Sequence, residues 1–280
     1  MKISPRRVAL LVERRYLSQA QPAALRAALL AAGHEVTVLV TDPVPAGMST
    51  SNWLAFDVVV ARGRGPQLLA LLGAAAAAGR PAVNTATAIG AVVDKAAMGR
   101  VLTLAGLPVP RTRCGAPAEL ARADWRFPVI CKPVRGDNAR GIRIVHDRAA
   151  LAGLRWPEPV ALVQDFLSGD GRDLKLYGVG TAVWAVRRAS PLAEDRGDPP
   201  EPVPVTPTLR ALASRAAQLF GFELYGVDCV LTQNGPVVIE VNDFPNYVGV
   251  PDASAALASH VISRALRSMS PRKAVTCASR

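Results

Sequence analysis

The chain has 280 residues, half of them hydrophobic, and its 33 Lys and Arg outnumber its 22 Asp and Glu to give a net charge of +11. This length allows one to three lobes with a buried core. No stretch approaches the roughly 18 consecutive apolar residues of a membrane span. The start of the chain lacks the apolar region and cleavage signature of a signal peptide, so a cytoplasmic protein is expected. The four cysteines show no Cys-x-x-Cys spacing, so neither a zinc site nor a disulfide framework is implied.

The positive charge favours anionic partners, such as a small anionic substrate or an acidic peptide. Only 5% of the residues are aromatic, and the arginines are spread along an Ala/Arg/Pro-rich sequence rather than interleaved with stacking rings. Nucleic acid is therefore not expected as the main partner, and neither is a membrane. The oligomeric state stays open, with a homo-oligomer among the possibilities.

The first third of the sequence alternates strands with helices. Short apolar runs predict strands at residues 8–12, 36–40 and 56–61, with helices at 22–32 and 66–78. This alternation predicts a small parallel α/β lobe over residues 1–86. The run Arg62-Gly63-Arg64-Gly65 follows the third strand, where such sheets bind ligands. It lacks the GxGxxG spacing, and a turn with solvated Arg side chains is the simpler interpretation.

The remaining sequence is richer in strands. Helices are predicted at 94–104, 209–220 and 253–268, and strands at 109–113, 127–133, 142–145, 160–166, 174–179 and 181–188. Residues 193–207 are polar and Pro-rich, which predicts a mobile loop. Residues 269–280 form a basic tail that is expected to be disordered.

A hairpin near the end of this region carries three oxygen-bearing side chains. The first of its two apolar strands contains Asp228, and the second contains Glu240 and Asn242. Glu240 and Asn242 are two positions apart, so they share a strand face. A carboxylate in an apolar strand needs compensation, and a divalent cation is a usual solution.

The length of the turn between these strands determines whether Asp228 lies on the same face as Glu240 and Asn242. A two-residue Asn-Gly turn would pair Cys229 with Glu240 and direct Asp228 to the opposite face. A three-residue turn over 233–235, with Gly235 left-handed, would pair Asp228 with Glu240. The second is favoured because it predicts a Mg²⁺ site; an ordinary buried hairpin with its acids at a wet rim is the alternative.

Lysine residues in apolar surroundings are a second signal. Lys132 lies in an apolar strand and precedes the loop 135–141, whose backbone N–H groups could cover phosphates while the Lys makes a point-charge contact. A surface hairpin with a solvated Lys is the alternative. Further along, Asp173, Lys175 and Tyr177 alternate onto one strand face.

The order of these features resembles the ATP-grasp superfamily over residues 1–268. The matching residues, in chain order, are Lys95, Lys132-Pro133, Gln164-Asp165-Phe166, Asp173 with Lys175, Arg188, Asp228 and Glu240-x-Asn242. The resemblance implies an α/β fold with α+β lobes: a Rossmann-like pre-ATP-grasp lobe at 1–86, and an ATP-grasp domain at 87–268 with a lid lobe at 113–167.

Two subfamilies are suggested within that superfamily. Asp94-Lys95 and the core from Gly226 to Asn242 look like the RimK-type glutamate ligases of ribosomal-protein modification and lysine biosynthesis. Phe244-Pro245-x-Tyr247 and the segment 186–190 look instead like the inositol polyphosphate kinases of the same fold.

The resemblance implies a role for each matching residue. Lys175 and Arg188 would neutralise the γ-phosphate as it transfers. Asp228, Glu240 and Asn242 would hold one or two Mg²⁺ ions, with Mn²⁺ as a substitute. ATP would be bound by Lys95 and Lys132 at the α/β-phosphates, by the loop containing Gly136 and Gly141, by the backbone of Gln164, Asp165, Phe166 and Leu167 at adenine, and by Asp173 near the ribose.

The expected activity is ligation of a carboxylate to an amine or thiol through an acyl phosphate. The chain departs from the ligase pattern at 193–207, at Asp243-Phe244-Pro245-Asn246 where Ser-Pro-Gly is usual, and at Lys175 where Arg is common. The alternative is a kinase acting on a hydroxyl of an anionic polyol such as an inositol phosphate. A non-enzymatic protein that binds nucleic acid or has a regulatory role is the third possibility. The acceptor is left open.

Overall fold

The computed structural model describes residues 4–43, 50–136, 139–193 and 198–269. The strands are β1 (Arg7–Val12), β2 (Glu35–Val40), β3 (Val58–Arg62), β4 (Ala82–Val83), β5 (Thr112–Gly115), β6 (Val129–Lys132), β7 (Arg143–Val145), β8 (Ala161–Asp165), β9 (Arg172–Val179), β10 (Ala182–Ala189), β11 (Glu201–Val203), β12 (Leu224–Thr232) and β13 (Gly235–Asp243). The helices are α1 (Ala20–Ala31), α2 (Thr50–Trp53), α3 (Pro66–Ala77), α4 (Ala86–Gly90), α5 (Lys95–Leu104), α6 (Pro117–Leu120), α7 (Arg148–Ala152), α8 (Pro207–Phe220) and α9 (Ala253–Met269), with a 3-10 turn at Arg14–Tyr16. None of the helices in these ranges is both long and apolar enough to cross a bilayer.

The chain divides into two compact units. One contains the residues up to Ala86 together with those from Asp252 onward, and the other contains Thr87–Pro251. The first unit is built on a parallel sheet with strand order β2-β1-β3-β4. The central strands β1 and β3 are buried almost throughout, which explains why they are continuous apolar runs rather than alternating ones.

The last helix groups with this first unit by its contacts; the division into a lobe at 1–86 and an ATP-grasp domain at 87–268 stays a prediction. Helix α9 packs against α1 and β3. Its contact stripe consists of Leu257, Val261 and Ala265, which are fully buried and recur every four residues. The stripe predicts that the helix is covered, but sequence position cannot say by which lobe.

The second unit contains two antiparallel sheets, each with one face covered by helices. The five-stranded sheet has the order β11-β10-β9-β12-β13. Its apolar face includes Leu174, Leu176 and Val227, and forms one core with α8 and α5 residues such as Ala216 and Met98. The four-stranded sheet has the order β5-β8-β6-β7, and a separate core forms around Val129, Cys131 and Val163 on one of its faces.

Three predicted segments differ from the structure or lie beyond it. The stretch 193–207, predicted to be a loop, contains strand β11, which pairs with β10 through Ala185↔Val203. Residues 194–197 lie outside the described residues, and so does the predicted basic tail beyond residue 269. The strand predicted over 160–166 ends at Asp165.

Candidate functional site

One face of the five-stranded sheet carries the charged residues. Cross-strand pairs that share a face are Arg188↔Asp173, Val186↔Lys175, Asp228↔Lys175, Gly226↔Tyr177, Asp228↔Glu240 and Gly226↔Asn242. Since neighbours along a strand alternate between faces, the intervening Leu174, Leu176 and Cys229 enter the helix-covered core. The sheet thus separates an apolar face from a charged one, and the charged face collects all the predicted metal and γ-phosphate residues.

The predicted pairing of Asp228 with Glu240 is present, but the predicted turn is wrong. Thr232 pairs with Gly235, which leaves a two-residue turn of Gln233 and Asn234. The register then shifts by one residue between Asp228 and Cys229, because Cys229 pairs with Val238 while Asp228 pairs with Glu240. A β-bulge at Ile239 therefore restores the register that the tighter turn alone would have lost.

Asp228 lies at the centre of the charged face. The Lys175 Nζ is 2.8 Å from Asp228 Oδ2 and 3.7 Å from Asp173 Oδ2. The side-chain amide of Asn242 donates to Asp228 Oδ2 at 3.3 Å. Two acids, one lysine and one amide thus form a connected group across three strands.

The pKa directions follow from this pairing. Burial alone disfavours the charge on Lys175, but the carboxylates of Asp228 and Asp173 outweigh it and raise the pKa of the ammonium. Burial raises the pKa of Asp173, against the opposing effects of Lys175 and of a hydrogen bond from Ser190. The predicted position of Asp173 near a ribose stays a prediction; in this structure its carboxylate belongs to the Lys175 group.

Lys95 reaches the same face from the start of helix α5. The side chain of Asp94 caps this helix by accepting hydrogen bonds from the backbone N–H groups of Ala96 and Ala97. The cap fixes the first turn, and the ammonium of Lys95 forms an ion pair with the carboxylate of Glu240. Asp228 and Glu240 therefore each have a lysine partner.

The two neighbouring arginines of β10 point in opposite directions, as strand alternation predicts. Arg188 lies opposite Asp173. Burial raises the pKa of the Tyr177 hydroxyl, and Arg188 partly opposes this effect. Arg187 forms an ion pair with Asp170. Only Arg188 belongs to the charged face.

The four-stranded sheet contributes one buried cation. The Lys132 Nζ donates to Gln164 Oε1 at 3.1 Å, and Gln164 Nε2 donates to Thr112 Oγ1 at 2.9 Å. Burial lowers the pKa of Lys132 to about 8, although the carboxylate of Glu240 partly opposes this. In the sequence, Lys132 could be recognised because it lies in an apolar strand. No local pattern could have revealed Thr112, which lies 52 residues from Gln164.

A small cleft lies beside these residues. Its volume is about 20 Å³, enough for one water molecule, and its lining combines polar and apolar side chains. The polar members are Lys95, Lys132, Gln164, Thr112 and Thr103, and the apolar ones include Met98, Leu102, Leu162, Val109 and Val238. The lining therefore brings two lysines next to apolar side chains.

The other residues predicted to bind the nucleotide lie less close together. The Asp165 carboxylate pairs with Arg111 at 3.0 Å, and Phe166 and Leu167 lie beyond the end of β8. Gly136 and Gly141 both have positive φ, and a Cβ at Gly141 would lie 3.0 Å from the Pro133 side chain. Residues 137–138 are outside the described ranges, so closure of the loop over phosphates stays a prediction.

The donor set suits Mg²⁺. Within the described ranges, no group of three or more His, Cys, Asp and Glu side chains forms a metal-binding cluster. Two carboxylates and one amide remain, and Mg²⁺ is commonly held by one or two carboxylates plus the phosphates of its substrate. Asp228, Glu240 and Asn242 therefore fit a cation that arrives with a nucleotide.

Comparison with known proteins finds a family match over the region that contains these residues. Residues 93–264 match the family model of the RimK-like ATP-grasp domain. A probable alpha-L-glutamate ligase of Thioalkalivibrio sulfidiphilus is 30% identical over 213 residues, which are 69% of this chain and 70% of that protein. A probable alpha-L-glutamate ligase 2 of Hahella chejuensis is 29% identical over 187 residues, covering 61% of this chain and 62% of that protein.

Solved structures extend the likeness to nearly the whole chain. The crystal structure of a RimK domain ATP-grasp protein from Sphaerobacter thermophilus matches with a TM-score of 0.71 and 28% identity, over 91% of this chain and 99% of that one. The ATP-grasp ligase PsnB, in complex with a minimal precursor, Mg and ADP, matches with a TM-score of 0.71 over 93% of this chain and 98% of that one. At 19% identity, the PsnB match shows the fold alone.

Proposed function

Since the chain belongs to the RimK-like ATP-grasp family, we propose that it joins a carboxylate to an amine, with L-glutamate as one of the two substrates. That it is an ATP-grasp ligase follows from the family and from its relatives. The choice of glutamate rests on the names of those relatives. The observation that carries the chemical proposal is the charged sheet face, where two carboxylates and an amide lie among Lys95, Lys175 and Arg188.

The proposed reaction has two steps. A carboxylate oxygen of one substrate attacks the γ-phosphorus of ATP, so that ADP leaves and an acyl phosphate forms. The amine of the second substrate then attacks the acyl carbon, which breaks the C–O bond to phosphate and releases inorganic phosphate with loss of a proton. The products are an amide, ADP and phosphate in equal amounts.

Each group of residues has a separate task in this scheme. Lys95 and Lys132 would bind the α- and β-phosphates, while Lys175 and Arg188 would neutralise charge on the transferring group. Asp228, Glu240 and Asn242 would hold Mg²⁺, which when bound supplies further neutralisation of the phosphates. Phosphoryl transfer depends mainly on position and charge, which a face of fixed ion pairs can supply.

The distribution of charge supports an anionic substrate besides glutamate. The unit made of residues 1–86 and 252–280 contains 14 of the 33 basic residues but only 5 of the 22 acidic ones, a net charge of +9. The unit with the charged sheet face is close to neutral, at +2. PsnB has been solved with a precursor peptide, and we include peptides among the candidate acceptors, with the positive charge of this chain favouring acidic ones.

The kinase alternative is not favoured by the relatives, which are named as ligases. The two reactions differ in their products, because a kinase keeps the phosphate on its acceptor. The test supplies MgATP, L-glutamate and a panel of anionic acceptors, and measures ADP and free phosphate in parallel.

The decisive version places ¹⁸O in the carboxylate of the acceptor in one reaction and in the carboxylates of L-glutamate in another. We expect ADP and phosphate in a one-to-one ratio, with one ¹⁸O in the phosphate released from one of the two reactions, because the acyl-phosphate route transfers an oxygen of the activated carboxylate. ADP without free phosphate, together with a phosphorylated acceptor, would replace the ligase proposal by the kinase.

A further inference from the structure

Two strands of the first unit end at a point where parallel sheets commonly bind ligands. In the order β2-β1-β3-β4, the strand that follows β1 lies on one side of it, and the strand that follows β3 lies on the other. The connections diverge between two such strands and leave a crevice at their carboxyl ends. Val12 at the end of β1 pairs with Arg62 at the end of β3. The residues at these two ends, 13–16 and 62–65, are named the switch-point cluster.

The cluster is built around the buried carboxylate of Glu13, which is 6% exposed. The backbone N–H groups of Arg64 and Gly65 both donate to Glu13 Oε1, the first at 2.7 Å. A Cβ at Gly63 would lie 2.6 Å from the Glu13 side chain, and a Cβ at Gly65 would lie 2.7 Å from it. The two glycines of the run 62–65 therefore allow this loop to close on Glu13.

The same contact decides which ligands the loop can take. Backbone N–H groups just before a helix are the donors with which many α/β proteins hold phosphates. Here the loop precedes α3, and Glu13 already accepts from its N–H groups. Recognition is then left to the guanidinium groups, whose planar pair of donors matches a carboxylate. The cluster therefore suits a carboxylate ligand better than a nucleotide.

Two of the four arginines in the cluster are fixed by stacking. The guanidinium carbons of Arg15 and Arg62 lie 4.6 Å and 4.3 Å from the centre of the Tyr16 ring. Arg62 also donates to Gln19 Oε1 at 2.7 Å and is only 8% exposed. Stacking orients a guanidinium and leaves its positive charge. The interpretation of the run 62–65 as a turn with solvated arginines is therefore wrong for Arg62.

The other two arginines are more accessible. Arg14 is exposed and Arg64 is half-buried. Asp42, which follows β2, accepts from the backbone N–H of Arg14 at 2.6 Å, so it holds the chain much as Glu13 holds the loop. Glu13 also pairs with Arg15 at 2.7 Å. The cluster and Asp42 together contain four arginines and two acids, and the positive charge remains in excess.

We propose that the switch-point cluster is a subsite for the carboxylates of an acidic peptide, with Arg14 and Arg64 making the direct contacts. The proposal rests on the proposed function for the choice of a peptide acceptor, and it locates a subsite for that acceptor. Single exposed ion pairs are weak. A peptide that presents several carboxylates therefore suits a group of arginines better than one free amino acid does.

The first test is fluorescence anisotropy with a fluorescein-labelled tetraglutamate peptide and no ATP. Replacing both Arg14→Gln and Arg64→Gln removes two charges but keeps the backbone N–H groups that Asp42 and Glu13 hold. We expect the Kd to rise about tenfold, the combined effect of two partly exposed ion pairs.

The matched control is the double variant Arg7→Gln with Arg26→Gln. Both residues are exposed on the same unit, Arg7 at the opposite end of β1 and Arg26 on α1, so the loss of net charge is equal. Its Kd should stay near that of the wild type. An equal loss of affinity in the two double variants would show attraction by overall charge and overturn the subsite. So would the absence of tetraglutamate binding to the wild type.

Competition on the wild type tests the class of ligand. Unlabelled tetraglutamate should displace the labelled peptide far more efficiently than tetraglutamine, which lacks the carboxylates, or tripolyphosphate, which has a similar charge. Displacement by tripolyphosphate at the same concentration as tetraglutamate would show a general anion site and reject the preference for carboxylates.

The subsite and the ligase reaction can fail separately. Specific loss of tetraglutamate binding in the Arg14 and Arg64 double variant, in a protein that forms no amide, would support the subsite and reject the proposed function. In an active ligase, the same variant should raise KM for an acidic acceptor peptide about tenfold and leave kcat unchanged. Amide formation with an unchanged KM would reject the subsite and leave the ligase in place.

Discussion

The two sheets of the unit Thr87–Pro251 hold their cations in different ways. On the five-stranded sheet, Lys175 has two carboxylate neighbours, Asp228 and Asp173, which raise its pKa despite burial. On the four-stranded sheet, Lys132 donates to the neutral amide of Gln164, and burial lowers its pKa to about 8. One lysine is charged and paired before any ligand arrives, and the other is only partly compensated.

This difference suggests a division of labour. A phosphate placed beside Lys132 would supply the partner that the lysine lacks in its own sheet, so its charge should contribute to ATP affinity. The charges on the five-stranded sheet are already balanced, so they gain most from charge that develops during phosphoryl transfer. Substitutions on the four-stranded sheet, which carries Lys132, should therefore change ATP binding. Substitutions on the five-stranded sheet should change turnover.

The largest effect is expected from Glu240→Gln. The change removes a predicted Mg²⁺ ligand and the partner of Lys95, but keeps the side-chain shape. We expect turnover, measured as ADP formation, to fall to background while the thermal unfolding midpoint stays close to that of the wild type. Asp170→Asn is the matched control, because Asp170 pairs with Arg187 away from the charged face. Normal turnover in Glu240→Gln would remove the residue from the metal site.

Arg188→Ala is expected to have the next largest effect. Its kcat should fall by about a hundredfold or more, as when one charge-stabilising donor is lost, with a small change in ATP Kd. Arg187→Ala should keep a near-normal kcat, since that side chain binds Asp170. Steady-state kinetics measures kcat, and calorimetry measures the ATP Kd, for both variants. The reverse ranking would mean that the catalytic face of β10 has been misassigned.

Lys132→Met tests the opposite side of the comparison. We expect MgATP affinity to weaken by about ten- to a hundredfold, the range for a lost charge-assisted hydrogen bond. Thr112→Val removes the far end of the Lys132–Gln164–Thr112 chain without removing charge, so its effect should be much smaller. Calorimetry with MgATP distinguishes them. Unchanged affinity in Lys132→Met would make Lys132 an ordinary buried lysine.

The sequence predicted the charged face well because strand alternation is a local rule. Because side chains alternate between the two faces of a strand, Glu240 and Asn242 share a face, whereas the adjacent Arg187 and Arg188 lie on opposite faces. The structure has both arrangements. It also predicted the pairing of Asp228 with Glu240, but for the wrong reason. The turn is one residue shorter, and a bulge at Ile239 compensates for it. Bulges depend on packing of the whole sheet and leave little trace in a short sequence.

Contacts between distant segments could not be predicted. The bond from Gln164 to Thr112 and the packing of α9 on α1 join residues that are far apart in the chain. Amphipathic patterns show that Leu257 and Val261 will be buried, but they do not identify the surface that covers them. The ion pair of Asp228 with Lys175 is similar: alternation places both on one face, and only the register brings them together.

The smallest effect is expected from pH, and it follows from the same contrast between the lysines. Lys132, with a pKa of about 8 in the protein alone, must be protonated to attract phosphate, so MgATP affinity should fall as the pH rises through that value. Linkage predicts a weakening of about fourfold between roughly pH 7 and 8.5. Titration calorimetry at saturating Mg²⁺ measures it. Lys132→Met should abolish the slope. Lys175→Met should keep it, because the pKa of Lys175 is raised and its ammonium does not titrate in this range. A slope that survives in Lys132→Met would assign the titration to another group and remove the proposed contrast between the sheets.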